Sequence, residues 1–231
     1  MPDWGEIFAA PAMQGLQPNP DFLALLPELW RNGVRRVLDA GCGVGRQLLP
    51  LARHGFQVVG VDREAAALRL LKENLAAATL PAALLLADLQ RLPLAPGRFE
   101  LVVSINVINH GNAATFRDYC RELDRVLKPG GRLFINVSPR AFAAKVRLPQ
   151  TRELEPGTLV DIATPDGDLV HHFPTPEELQ AQFPGYEARR LETILTPIPF
   201  MGNVELPQLI FWGRKGQGPG IRGQGLETKL V

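Results

Sequence analysis

Chemistry in this chain is concentrated where short apolar runs end. "VLDAGCGVGR", residues 37–46, places Asp39 directly before three glycines in five positions, Gly41, Gly43 and Gly45. Glycine allows left-handed backbone dihedrals and brings main-chain N–H groups within reach of a ligand. Two ligand classes use such a turn. A dinucleotide site needs G-x-G-x-x-G or A, and here the third small position is Arg46. An anionic pyrophosphate is also poorly matched to Asp39, whereas a cationic ligand suits it. Cys42 is a small residue filling the tight turn. Other groups able to orient a substrate or move a proton are His110, the pair His171 and His172, and the amides of Asn106 and Asn109. Each could equally bridge loops, and the paired histidines could alternate in a short strand. His54, beside Gly55, reads as a partner for a helix C-terminal dipole.

These groups need a frame. Phe22, Leu25, Leu26 and Leu29 recur at helical spacing, which predicts a helix over residues 21–30 with Asp21 as N-cap. "RRVLDA" is a strand, and residues 47–54 form a helix stopped by Gly55. "QVVGVD", a helix over 64–77, "AALLLAD", "FELVVSI" and a helix over 115–127 follow, and "KPGG" turns the chain into "RLFINVS". Strand and helix alternating at this pitch imply parallel pairing with right-handed crossovers. Residues 140–174 read as an insertion or lid, and "TPEELQAQF" as a short helix with a Thr175–Glu178 capping box. "YEARRLETIL" and "LPQLIFWGRK" have no helix between them and read as an antiparallel pair. The expected fold is α/β: a doubly wound, mostly parallel, seven-stranded, Rossmann-like sheet with an antiparallel pair at its C-terminal edge. Residues 1–34 would form an N-terminal lid and entrance helix, 35–215 the main domain, and 216–231 a glycine-rich disordered tail.

Composition removes several partners. Lys plus Arg number 25 against 24 Asp plus Glu, so no broad positive field favours nucleic acid or acidic lipid. The two cysteines, Cys42 and Cys120, sit in no metal-ligand spacing and can form no disulfide framework, so no metal is expected and a reducing cytoplasm fits. The N-terminal segment has no signal-peptide pattern. The most apolar stretch, residues 75–87, contains Pro81 and is too short for a membrane span. The partner expected is a small molecule; the sequence assigns no oligomeric state.

"VLDAGCGVGR", "VVGVD", "ADLQRLPL", "FELVVSINVINH" and "LDRVLKPGGRLFINV", in this order, resemble the motifs of class I S-adenosylmethionine-dependent methyltransferases over residues 35–138. The resemblance implies that Asp39 and the run Gly41, Cys42, Gly43 and Gly45 hold the methionyl and ribose part of S-adenosylmethionine. It gives Asp62, with Arg63 beside it, to the ribose hydroxyls, and a carboxylate offers acceptors in a geometry matching a vicinal diol. Asp88 and Leu89 would read the adenine edge, and Ser104, Ile105 and Asn106 would flank the methionine end. His110 would face the transferred methyl, making His110 and Asn106 the catalytic candidates. "PNPDFLALLP" and "DLVHHFPTPEEL" are similar to segments of the tellurite-resistance-type subgroup. That likeness suggests substrate contacts from Trp4, Phe8, His171 and His172. The implied activity is in-line methyl transfer to a small-molecule O, N or S nucleophile. "SINV" stands where exocyclic-amine methyltransferases carry an Asn or Asp-Pro-Pro-aromatic tetrapeptide, so a base amine is disfavoured. An NAD(P) dehydrogenase and a non-catalytic, cofactor-binding partner subunit are the competing readings.

Overall fold

Strand alternation along Val37, Leu38, Asp39 and Ala40 sends Leu38 and Ala40 to one face of a sheet and Val37 to the other, and both faces are buried. The computed structural model describes residues 17–198 and 202–217. Its parallel strands are β1 (Arg36–Ala40), β2 (Gln57–Asp62), β3 (Ala83–Leu86), β4 (Phe99–Ile105) and β5 (Leu127–Val137). The late strands are β9 (Tyr186–Ile198) and β10 (Val204–Lys215). The seven stand in the order β3-β2-β1-β4-β5-β10-β9, with β10 antiparallel to both neighbours. This is the expected doubly wound sheet, and the strand order reverses between β1 and β4.

One face is covered by α1 (Pro20–Leu23), α2 (Leu26–Arg31), α3 (Leu48–Arg53) and α4 (Ala65–Ala77) through Phe22, Leu26, Leu48, Leu51 and Leu71. The other carries α5 (Ala113–Val126) and α7 (Pro176–Ala181) through Phe116, Cys120, Leu123 and Leu179. Each of these two helices starts where a side chain satisfies an orphan amide: Asn112 accepts from Thr115 N at 2.9 Å, and Thr175 and Glu178 close the capping box. The single helix expected over 21–30 is instead two, and its cap is Asn19, which accepts from Phe22 N at 2.9 Å. Pro20 and Pro27 explain the division, because each sits at a helix start and Pro27 cannot donate to a preceding turn. "KPGG" also differs from expectation. It lies within β5, where Gly130 takes φ +75° and the pairing with β4 shifts register, so the strand continues past Pro129.

Residues 140–174 hold α6 (Arg140–Ala143) and a second, antiparallel sheet of β6 (Arg152–Glu155), β7 (Thr158–Val160) and β8 (His171–His172). Phe142, Val146, Leu159, Ile162 and Phe173 give this insertion its own apolar cluster, which reaches Ile198 and Leu206 of the main sheet. No helix among the described residues is long and apolar enough to cross a membrane. Trp4, Phe8 and residues 218–231 lie outside the described residues.

Phe22 is fully buried with its ring 5.2 Å from that of Phe134 on β5, so it fastens the N-terminal helices to the sheet. Phe22→Ala is expected to cost about 3–5 kcal/mol in urea unfolding, from lost burial and the cavity left behind. A cost below about 1 kcal/mol would mean that α1 and α2 contribute little to the folded state.

Candidate active site

At the carboxyl ends of β1, β2 and β4 the chain encloses a cavity of about 740 Å³. Its position is the strand-order switch point, where open α/β sheets bind ligands. Asp39, Gly41, Cys42, Gly43, Asp62, Arg63, Asp88, Leu89, Ile105, Asn106, His110 and His171 all line it. Ser104 does not. Strand alternation turns Ser104 into the sheet, where it is fully buried and its Oγ has no hydrogen-bond partner among the described residues. Gly45 is likewise absent from the lining, and His172 projects from the opposite face of β8 to His171. There His172 Nδ1 meets Thr158 Oγ1 at 2.9 Å and its ring packs 5.1 Å from Phe116. Burial pushes the His172 pKa down, against the nearby Glu178 carboxylate. A substrate contact for His172 is therefore withdrawn.

The glycine loop is built differently from the expectation of a ligand-facing amide wall. Gly41 N and Cys42 N both donate to Val61 O, at 2.8 and 2.9 Å, and Gly45 N donates to Cys42 O at 2.9 Å. Gly43 N donates to Asp62 Oδ2 at 2.7 Å. These four amides are spent on the protein itself. The glycines answer to packing as much as to a ligand: at Gly41, φ +81°, an added Cβ would lie 2.4 Å from Val107 Cγ1, and at Gly45, φ +93°, 2.2 Å from Leu71 Cδ1.

What the loop does present is negative charge. Asp39 is buried, and its Oδ2 has no hydrogen-bond partner among the described residues. Burial, then repulsion from Asp62, push its pKa up to about 7, with Arg46 pulling the other way. Asp62 Oδ1 accepts from Glu64 N at 3.0 Å, so its carboxylate is held rigidly at the end of β2 with lone pairs left over. Asp88 Oδ1 accepts from Gln90 N at 2.8 Å, a local turn at the cavity rim.

The other side of the cavity comes from the loop after β4, the insertion and β10. His110 Nε2 and His171 Nε2 lie 3.0 and 3.1 Å from the same oxygen, Asp166 Oδ2. Burial favours the neutral Asp166 acid, but the hydrogen bonds and charges of His110 and His171 prevail and hold it well below the usual carboxylate range. This group of possible metal ligands departs from the expectation of no metal, which rested on chain spacing alone. Asn109 is a brace: its Nδ2 donates to Ser138 O at 2.9 Å and His172 O at 2.8 Å, and its Oδ1 accepts from Ser138 N at 3.0 Å. Asn106, exposed at φ +58°, faces the cavity.

Among the lining residues that were not anticipated, three are polar groups on the acceptor side, Asp166, Asn136 and Gln208. Asp166 lay within "TPDGD", which its composition marks as a turn; the signal was a carboxylate five residues before a histidine. Asn136 and Gln208 are buried polar residues in otherwise apolar strands, and that mismatch was visible.

Comparison with known proteins places this geometry. Residues 37–131 match the family model described as methyltransferase domain. Over these residues the chain resembles methyltransferase domains, as its five ordered motifs imply. The ubiquinone biosynthesis O-methyltransferase of Cereibacter sphaeroides is 32% identical to it over 115 residues, 48% of this chain and 45% of that protein. The chain thus spans about half the length of the curated relatives it matches. Among solved structures, a methyltransferase from Methanosarcina mazei aligns with TM-score 0.70 at 20% identity, covering 87% of this chain and 99% of that one. The 1,6-didemethyltoxoflavin-N1-methyltransferase of Burkholderia thailandensis, solved with its substrate and S-adenosylhomocysteine, aligns with TM-score 0.61 at 20% identity, covering 85% and 77%. These likenesses are of fold; they do not single out the tellurite-resistance-type subgroup.

Asp39 gives this site a pH signature. Its folded pKa lies above the ordinary 3.8, so the folded state holds a proton that the unfolded chain has released. Stability is therefore expected to fall as pH rises from about 4 to about 7, by on the order of 4 kcal/mol, and to level above. Urea unfolding of the native chain and Asp39→Asn across this range checks it. The difference between the two should carry that slope; parallel curves would show that Asp39 ionises normally.

Proposed function

We propose that the protein transfers a methyl group from S-adenosylmethionine to a small-molecule nucleophile by in-line displacement. The observation that carries this reading is the buried Asp39 carboxylate, whose Oδ2 has no hydrogen-bond partner among the described residues, beside a glycine loop whose Gly41, Cys42, Gly43 and Gly45 amides are engaged internally. A pyrophosphate needs free amides and no carboxylate; an amino-acid ammonium beside a sulfonium needs the reverse. The residues present fit the cofactor. Asp39 and the loop would hold its methionyl part, Asp62 with Arg63 its ribose, Asp88 and Leu89 its adenine, and Ile105 with Asn106 the end nearest the reacting centre. When bound, S-adenosylmethionine supplies an electrophilic methyl.

The chain's part is then alignment and exclusion of water. Phe142 and Phe173 stack with centroids 5.9 Å apart, and His171 continues the stack on Phe173 at 6.0 Å. With Ile162 and Ile198 they give the cavity an apolar wall suited to the carbon frame of a small-molecule acceptor. His110 and Asn106 would orient its nucleophilic atom, for which oxygen is our first choice, following the name of the curated relative. Residues 140–174 would act as the lid of a main domain over 35–215, joined by the N-terminal residues that include Trp4 and Phe8. We place the reaction in the cytoplasm, where the free buried thiols of Cys42 and Cys120 suit the redox state. Nucleic acid is not proposed as a partner, since the charge is balanced.

Calorimetry tests the reading. S-adenosylhomocysteine should bind and NAD(P)H should not, and the reverse removes the proposal. Asp62→Ala should weaken S-adenosylhomocysteine binding by about 1–3 kcal/mol, the worth of hydrogen bonds to a charged acceptor. Binding without any methylated product across small-molecule hydroxy and amino acceptors would favour a non-catalytic partner subunit.

A further inference from the structure

We propose that His110 Nε2, His171 Nε2 and the Asp166 carboxylate form a binding site for one divalent first-row transition-metal ion on the acceptor side of the cavity. The first support is donor geometry. Two imidazole nitrogens stand 3.0 and 3.1 Å from one carboxylate oxygen, and all three donor atoms lie within 4.8 Å of one another. Neighbouring ligands of an ion with bonds of ~2.1 Å are separated by about 3.0–3.4 Å, so small side-chain adjustments would let an ion enter.

The second support is how His171 is held. Its Nδ1 lies 2.9 Å from the carbonyl oxygen of Leu169, an acceptor, which leaves Nε2 as the nitrogen turned toward Asp166 Oδ2, 3.1 Å away at the cavity wall. An imidazole whose far nitrogen donates to a backbone carbonyl is the usual arrangement of a metal-bound histidine.

The frame is rigid enough to hold an ion. Gly111 N donates to Val170 O and His172 N to Asn109 O, both at 2.8 Å, and His110 pairs with His171 across a β-bridge. The His171 side chain is only 6% exposed, which favours a compensated charge there. Two nitrogens and one carboxylate select Zn(II), Co(II), Ni(II), Fe(II) or Mn(II) over Mg(II) or Ca(II). All three residues line the cavity, so remaining coordination positions face an acceptor oxygen. That last use rests on the methyl-transfer reading; metal binding itself does not.

The test uses the untagged full chain after chelation and dialysis. Co(II) should bind at one per chain with a visible ligand-field band that Zn(II) abolishes. Asp166→Asn and His171→Ala should each weaken Zn(II) binding at least about tenfold in calorimetry, while His54→Ala leaves it unchanged. Because a variant could lose fold, nitrogen-15 spectra of the native histidines provide a second readout. Zn(II) should shift Nε2 of His110 and His171 while His171 Nδ1 keeps its proton. No saturable Co(II) band, or a His171 protonated on both nitrogens and unmoved by Zn(II), overturns the proposal. S-adenosylhomocysteine binding without metal binding would sink this inference alone; metal binding without S-adenosylhomocysteine binding would sink the methyl-transfer reading and leave this one.

Discussion

Three successive amides of the glycine loop converge on two adjacent acceptors at the end of β2: Gly41 N and Cys42 N on the Val61 carbonyl, Gly43 N on the Asp62 carboxylate. This knot fixes the distance between the tips of β1 and β2. It positions Asp39 and Asp62 close enough to repel, and the protein tolerates that cost because the sheet around them is fully packed on both faces. Two carboxylates held together in a poorly hydrated place attract positive charge strongly. Recognition on this side of the cavity is therefore more a matter of where charge is confined than of how many donors are offered.

The sequence made the main sheet readable because its signals are local. Apolar runs ending in Asp39, Asp62 and Ile105, each followed by a turn and a helix, carry strand, loop and crossover in a few residues. Local caps were readable for the same reason at Thr175 and Glu178, and misread at Asp21 only because Asn19 stands two residues earlier beside a proline. The glycines were located correctly but for an incomplete reason. Whether a missing side chain makes room for a ligand or for Val107 and Leu71 depends on neighbours distant in the chain, which spacing does not encode.

The acceptor side was least legible for a related cause. Asp166 joins His110 across 56 residues, and nothing in "TPDGD" distinguishes a turn carboxylate from one aimed at two imidazoles. His171 and His172 are chemically identical in sequence, and only strand alternation, unknown until β8 pairs with β7, sends one to the cavity and the other to Thr158.

Asn109 carries a consequence for how the insertion is seated. Its single amide is shared between the end of β5 and the end of β8, so that margin of the insertion is riveted to the sheet. The opposite margin is moored too, because Phe142 and Val146 of the insertion share an apolar cluster with Ile198 and Leu206. A segment tied down at both margins holds its side chains at a fixed depth, and His171 thereby keeps its station opposite His110 across the cavity wall.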